Sequence, residues 1–222
     1  MTVHPATPQS FTESGPTQTR EPTRTREPTR SREPTQTREP TRSRDGAQPW
    51  EPGQPWDKVI EAINDPERLR AIGRYDLENP LLRGRLDAIA ARTCRGLGQP
   101  TSLITIVLGA AQFVIGSAGL SGWMKDSEGT PAEWSFCVHA VASGRPYVVE
   151  DTANDPTQRG NPLVTIDGIA SYAGVPLITA SGQVLGSHCV LGSQSQTFTP
   201  DQLAVLKETA ADVLATLEDF RV

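Results

Sequence analysis

The composition of this 222-residue chain changes abruptly near residue 56, and the change limits what each side of it can fold into. Residues 1–56 hold 10 of the 19 prolines but only 7 apolar or aromatic side chains. Residues 57–222 hold 73 such side chains, or 44% of that stretch. A segment so poor in apolar groups cannot bury enough surface to offset the entropy of ordering its backbone. The sequence therefore predicts a disordered tail over 1–56 and one globular domain over 57–222.

The N-terminal segment carries a six-residue repeat. From Thr19 the chain reads TREPTR, TREPTR, SREPTQ and TREPTR, with a proline after each glutamate. Proline disfavours helix at the residue before it, so the repeat is predicted to be extended and polyproline-like. Thr23, Thr29 and Thr41 lie beside arginines and are candidate phosphorylation sites. The interpretation we favour is a replicated spacer.

Charge and cysteine content narrow the classes of partner. The chain has 21 basic and 26 acidic residues, whereas a nucleic-acid-binding domain usually has a basic excess. We find no run of 18 apolar residues and no secretory leader, so neither a membrane partner nor export is expected. Cys94, Cys137 and Cys189 are too few for a disulfide scaffold and suit a reducing compartment. We therefore expect a cytoplasmic protein that does not bind nucleic acid.

Three dipeptides in the domain are typical of helix starts. Asp65-Pro66, Asn79-Pro80 and Thr199-Pro200 each combine an N-cap residue with proline at the first helical position. In the last of these helices, apolar side chains recur in steps of three and four. They are Leu203, Leu206, Ala210, Val213, Leu217 and Phe220. Such a period is typical of a seam for another element, and we expect it to cover the domain's own sheet and also to reach a second subunit in a homodimer.

Short β-branched, apolar stretches separated by turn residues predict the strands. They lie at 101–108, 112–115, 147–149, 170–178 and 184–191. Residues 117–133 and 152–168 are rich in glycine and polar residues and are predicted to be long loops. Helices that flank an antiparallel sheet of about five to six strands give an α+β fold.

Four segments, in their order along the chain, resemble the GAF domain, a small sensory module of bacterial signalling proteins. They are Trp134–Val141, Pro146–Asp151, Ser171–Leu177 and Gly182–Val190. The resemblance covers about residues 65–220. It implies a GAF-like sheet with the terminal helices packed on one face and, on the other, a pocket walled by loops 117–133 and 152–168.

The resemblance also implies which ligands to look for. Bilin-binding relatives attach their pigment to a cysteine followed directly by histidine, and here Val138 separates Cys137 from His139. The Asn-Lys…Phe…Asp-Glu pattern of cyclic-nucleotide-binding relatives is not found. Haem ligation by His139 or His188 is not favoured either, so the cofactor is unknown.

Two short clusters, Cys137 with His139 and His188 with Cys189, contain residue types that bind metals. Cys-X-His on a helix and adjacent His-Cys on a strand both direct the two side chains apart, so no metal is favoured. We interpret Cys137 and one residue of the second cluster as small buried side chains.

The enzymatic branch of the resembling family is free methionine-R-sulfoxide reductase, which uses several cysteines in and around the pocket. Cys137 lies at a plausible position for one of them. Loop 152–168, where the resemblance would place the attacking thiol, contains no cysteine. We therefore predict no catalytic residue.

Seven residues are expected to line the pocket. They are Trp123, Trp134, Phe136, Cys137, His139, Asp151 and Tyr172. The chain is predicted to be a small-molecule-sensing or protein-interaction GAF module of bacterial signal transduction, with an unidentified ligand and a separate signalling protein as its output. Two alternatives stay open. One is a thiol-dependent free methionine-R-sulfoxide reductase, and the other is a scaffold with a vestigial pocket that works through the tail and the helical seam.

Overall fold

A computed structural model describes residues 56–222. The predictions for the repeat and its threonines lie outside the described residues. The helices are α1 (Trp56–Ile63), α2 (Pro66–Ile72), α3 (Pro80–Leu97), α4 (Gly122–Ser127), α5 (Cys137–Ser143), α6 (Pro162–Thr165) and α7 (Pro200–Glu218). The strands are β1 (Thr101–Val107), β2 (Ala111–Ala118), β3 (Gly129–Pro131), β4 (Tyr147–Val149), β5 (Ser171–Ile178) and β6 (Val184–Gly192).

The predicted helix starts are confirmed by their capping hydrogen bonds. The Asp65 side chain accepts from the backbone of Arg68 at the start of α2. The Asn79 side chain accepts from the backbone of Leu81 at the start of α3. Thr199 forms a reciprocal capping box with Gln202 at the start of α7. Each cap satisfies a backbone N–H that has no partner within its own helix.

The six strands form one sheet in the order β3-β2-β1-β6-β5-β4, and each neighbouring pair is antiparallel. The predicted α+β fold is thus confirmed. In the middle of the sheet, Cys189 of β6 pairs with Leu103 on one side and with Gly174 on the other. Within the described residues, no helix is both long enough and apolar enough to span a membrane.

One face of the sheet is covered by α2, α3 and α7. Leu206, Ala210, Val213 and Leu217 of α7 are buried in the core on this face. Leu203 and Phe220 are only partly buried against it. The apolar period of α7 is therefore used largely within the domain, and the homodimer stays a prediction.

The other face of the sheet lies under α1, α5 and the chain between β2 and α5. The prediction of one long loop over 117–133 is wrong in part, because this stretch contains the end of β2, then α4, β3 and a 3₁₀ turn at Ala132–Trp134. No residue of α4 is buried, so that helix lacks the apolar period that would mark it in the sequence. The three residues of β3 include a glycine and a proline, which are typical of loops.

Candidate functional site

A small cavity lies between the second face of the sheet and the layer formed by α4 and α5. Its apolar wall includes Leu103, Val114, Phe136, Leu163, Ile169 and Leu191. Its polar or polarisable wall groups are Gln112, Thr130, Cys137, Tyr172 and Cys189. The cavity volume is about 20 Å³, which is room for about one water molecule.

An open cleft of about 250 Å³ adjoins the cavity. Leu120, Met124, Ile169 and Leu191 line both spaces, so these four side chains separate the cavity from the cleft. These four side chains therefore form the boundary between the two spaces.

Helix α4, which carries Met124, is held in place by Trp123. The Trp123 indole N–H donates to a carboxylate oxygen of Asp167 at 2.7 Å. The same indole packs edge-on against Trp134, with the ring centroids 6.2 Å apart. These contacts fasten α4 to the loop before β5, although Trp123 itself is 40% exposed. Because the Trp123 side chain is accessible, a ligand could break these contacts.

An aromatic row runs through the wall of the cavity. Phe136 stacks on Tyr172 with the ring centroids 5.0 Å apart, and Tyr172 lies 5.9 Å from Tyr147. His139 packs on the far side of Tyr147, at 4.6 Å. The row places His139 behind the cavity wall, where burial lowers its pKa to about 4. The imidazole is therefore neutral at physiological pH.

The two buried cysteines meet in the cavity. Cys137 at the start of α5 and Cys189 on β6 place their sulfur atoms 3.8 Å apart. The Tyr172 hydroxyl donates to the Cys137 sulfur at 3.4 Å. A Cβ at position 174 would lie 2.1 Å from that hydroxyl, so the absence of a side chain at Gly174 is what makes room for it.

Hydrogen bonds at the Cys137 sulfur change the acidity of the pair. Donation from the Cys189 thiol lowers the pKa of Cys137 to about 7, against the opposing effect of burial, and the hydroxyls of Thr105 and Tyr172 add to the lowering. Hydrogen bonding to Cys137, together with burial, raises the pKa of Cys189. The pair can therefore hold one thiolate, on Cys137, with Cys189 as the neighbouring acid.

A polar corner lies at the end of the cavity formed by β2 and β3. Gln112 pairs with Thr130 across these strands, and its amide oxygen accepts from the Ser135 hydroxyl. The Ser135 oxygen in turn accepts from the backbone N–H of Cys137 at 3.1 Å. The Thr130 hydroxyl is buried and has no hydrogen-bond partner among residues 56–222. Because such a group loses its hydration without compensation, Thr130 is the point at which a bound molecule would gain most from a hydrogen bond.

Six of the seven residues predicted to line the pocket fall into three groups. Phe136, Cys137 and Tyr172 line the cavity. Trp123 and Trp134 pack together outside it. His139 lies behind the wall.

Asp151 does not lie on the cavity wall either. It accepts a hydrogen bond from the Asn154 side chain at 2.8 Å, and so stabilises the turn that follows β4. This bond lowers the pKa of Asp151. A carboxylate after a strand is frequently used in this way, and its sequence position could not distinguish a turn from a wall.

Sequence reasoning missed Gln112, Thr130 and Cys189. Alternation along β6 could place Cys189 on the face opposite His188, and the structure has them so, with His188 turned towards α3 and hydrogen bonded to Thr93 at 3.1 Å. No group of three or more His, Cys, Asp or Glu side chains in residues 56–222 is arranged to hold a metal. The sequence pattern could not show that β6 packs against α5, and so it could not predict the contact between the two thiols.

Comparisons with known proteins agree with this architecture. The model of the GAF domain family matches residues 82–217. A cyclic di-GMP phosphodiesterase of Pseudomonas aeruginosa is 35% identical over 124 residues, which are 55% of this chain, and the chain spans only 20% of that relative's length.

Solved structures extend the comparison to the fold. A type II free methionine-R-sulfoxide reductase from Thermoplasma acidophilum aligns with a TM-score of 0.54 at 16% identity, covering 66% of this chain and 99% of that one. The GAF domain of a phosphoenolpyruvate-protein phosphotransferase from Coxiella burnetii aligns with a TM-score of 0.54 at 15% identity, covering 73% and 92%. At such identities the likeness concerns the fold and not the activity. With the family model matched over more than half of its length, the chain belongs to the GAF domain family.

Proposed function

We propose that the chain is a cytoplasmic regulatory GAF module of bacterial signal transduction whose cavity binds a small, largely apolar molecule through one hydrogen-bonding group. The observation that carries the proposal is the buried Thr130 hydroxyl, which has no partner among residues 56–222 and faces a cavity with mostly apolar walls. Apolar walls with a few convergent polar groups are typical of small-molecule sites. The family match supports a signalling role.

Ligand binding should open the site. Because the cavity holds about one water molecule, anything larger requires part of its wall to move. We infer that α4 moves outward at Met124, because this helix has no buried residue. That movement breaks the hydrogen bond between Trp123 and Asp167 and changes the surface around the cleft. A ligand shifts this equilibrium only by binding the open arrangement better than the closed one. The output would be a separate signalling protein that contacts the altered surface.

Replacing Thr130 with valine tests the role of the hydroxyl. Thr130→Val removes an unpaired buried group at constant shape, so it should raise the free energy of unfolding by about 1 kcal/mol. The same variant should lose the small molecule that the wild type retains when it is purified from its own source. Urea unfolding measures the first effect, and native mass spectrometry measures the second.

Thr152→Val is the matched control. Thr152 is also buried, but its hydroxyl donates to the Ile169 carbonyl at 2.6 Å, so its loss should destabilise the domain by about 1–2 kcal/mol. If Thr130→Val destabilises as much as Thr152→Val, the Thr130 hydroxyl is paired in solution and the proposed binding group is lost.

The contact between Cys137 and Cys189 favours a second candidate function, thiol-dependent reduction of free methionine-R-sulfoxide. It supplies an attacking and a resolving thiol inside one cavity. Turnover of free methionine-R-sulfoxide with dithiothreitol as reductant, abolished by Cys137→Ser, would establish this activity. No turnover would exclude it.

The small cavity volume favours a third candidate, a scaffold whose pocket is vestigial. Deleting residues 1–56 separates this candidate from the sensor. A sensor should keep its ligand after the deletion, whereas a scaffold that works through the tail should lose its partner.

A further inference from the structure

We propose that Cys137 and Cys189 form a redox-active dithiol, which hydrogen peroxide oxidises to a reversible disulfide inside the cavity. This modification site goes beyond the proposed ligand binding and does not depend on it. The dithiol joins α5 to the centre of the sheet, so its oxidation would act on the same wall that a ligand contacts.

The geometry of the two thiols is already close to that of a bond. Their sulfur atoms are 3.8 Å apart, and a disulfide requires about 2.05 Å, so each sulfur needs to move by roughly 1 Å. The partner of Cys137 is fixed, because Cys189 lies on a central strand that is paired on both sides. The third cysteine, Cys94, lies on α3, which covers the other face of the sheet.

The surroundings of Cys137 favour reaction at its sulfur. The Tyr172 hydroxyl donates to this sulfur, and the Cys189 thiol is in contact with it, so a negative charge on Cys137 is stabilised. Cys137 and Cys189 are each at most 2% exposed, which keeps bulky thiol reagents out. The cavity beside them, which holds about one water molecule, admits an oxidant of similar size.

The reaction takes place in two balanced steps. The Cys137 thiolate attacks one oxygen of hydrogen peroxide, the O–O bond breaks, and hydroxide leaves as the sulfur becomes a sulfenic acid. The Cys189 thiol then attacks the sulfenic sulfur, a disulfide forms, and the hydroxyl leaves with the Cys189 proton as water. Over both steps the thiolate and the thiol together lose two electrons, and the peroxide is reduced to one hydroxide and one water. An external dithiol reverses the change.

Oxidation should narrow the cavity. The disulfide draws the first turn of α5, which carries Cys137, towards β6, and it removes the thiolate that Tyr172 bonds. Both changes occur at residues that line the cavity. The oxidised domain should therefore bind a pocket ligand less well than the reduced one.

The test uses the full chain with Cys94→Ser, which leaves only the two proposed thiols. The protein is treated with hydrogen peroxide at pH 7, denatured in an alkylating reagent and weighed. We expect a mass lower by two hydrogens with no alkylation, a 137–189 linkage in the peptide map, and full recovery of both thiols with dithiothreitol. Two alkylated thiols after peroxide treatment would overturn the proposal.

Single replacements assign the roles. Cys189→Ser should stop at one added oxygen on Cys137. Cys137→Ser should take up oxygen several-fold more slowly than Cys189→Ser, because the Tyr172 hydroxyl donates to the sulfur of Cys137. Faster oxygen uptake by Cys137→Ser would contradict the order of the two steps.

Access provides a test that leaves both thiols in place. Met124 separates the cavity from the cleft and lies on α4, which has no buried residue, so Met124→Ala should fold. It should speed disulfide formation several-fold, whereas the similarly sized Met124→Leu should match the wild type. If all three proteins oxidise at one rate that follows their unfolding rate, the thiols react only after unfolding and the proposal fails. Because no ligand is used, that failure leaves the proposed ligand binding untouched.

Discussion

Replacing Arg68 with methionine should lower the free energy of unfolding by about 3–5 kcal/mol, a large share of the stability of a domain of this size. Arg68 lies on α2, is 3% exposed, and donates only to backbone carbonyls. Methionine keeps much of the apolar volume but cannot donate. The buried carbonyl oxygens would then be without partners, and each such oxygen carries its full desolvation cost.

The partners of Arg68 explain why its loss should matter to the whole domain. Its Nη1 donates to Ile63 at the end of α1 at 2.8 Å, and its Nη2 donates to Val107 at the end of β1. At the start of β6, Nε donates to Val184 at 2.6 Å and Nη2 to Leu185 at 2.9 Å. One side chain thus joins the first helix to two central strands. Burial lowers the pKa of Arg68 to about 10, so the guanidinium stays charged at neutral pH.

Two further variants keep this prediction open to refutation. Arg70→Ala changes an exposed arginine on the same helix, so the free energy of unfolding should stay within about 0.5 kcal/mol of the wild type. Arg68→Lys keeps the charge but has fewer donors, so it should lie between the wild type and Arg68→Met. Urea unfolding followed by tryptophan fluorescence measures all three. A loss below 1 kcal/mol for Arg68→Met would mean that water replaces the guanidinium at the carbonyls.

Arg68 is also a residue whose role could not be predicted from the sequence. The caps of α2, α3 and α7 are local signals, in which a side chain and a backbone N–H lie within three residues of each other, and they could be read from the sequence. The partners of Arg68 at β6 lie more than 110 residues away. Nothing near Arg68 in sequence distinguishes it from the exposed Arg70. A residue whose role depends on tertiary contacts leaves no local pattern.

The residues of the candidate site divide in the same way, into those that the sequence could identify and those that depend on tertiary contacts. Phe136, Cys137 and Tyr172 were predicted because their segments resemble a family. Alternation along a strand does not by itself decide whether Tyr172 faces the pocket or the core. The sheet register resolves this choice, since Ala173 and Val175 pack under the helices and Tyr172 faces the cavity. Thr130 belongs to a three-residue edge strand that exists because it pairs with β2. Such a strand has too few residues to show a period of two.

Lowering the pH from 7 to 5 should destabilise the domain, by about 2.7 kcal/mol per pH unit below pH 6.5, because His139 and His188 stay neutral in the folded state. Burial lowers the pKa of His139 to about 4 and that of His188 to about 3, with the charge of Arg92 adding to the effect at His188. The unfolded chain has histidine pKa values of about 6.5. As the pH falls, the unfolded state therefore takes up protons that the folded state does not bind. The stability is complete above the unfolded pKa and is lost as the pH decreases towards the folded pKa values.

The structure around His188 explains why this imidazole stays neutral in the folded state. Its Nε2 lies 3.1 Å from the Thr93 hydroxyl, which itself donates to the Ile89 carbonyl, so Nε2 is the protonated nitrogen. Its Nδ1 is buried without a partner among residues 56–222. A second proton on Nδ1 would place a full charge in the core beneath α3 with nothing to pair it.

Single variants separate the two contributions. Urea unfolding between pH 7 and 5 should give about half of the wild-type slope for His188→Gln and for His139→Gln, because each histidine contributes about 1.4 kcal/mol per pH unit. The third histidine, His4, precedes the described residues and belongs to the segment whose composition predicts no core, so His4→Gln should leave the slope unchanged. The pH window stays above the ordinary pKa range of carboxylates, which keeps their titration out of the measurement. A stability that is flat from pH 7 to 5 would mean that both imidazoles reach solvent in the folded state, and that the core around His188 opens readily.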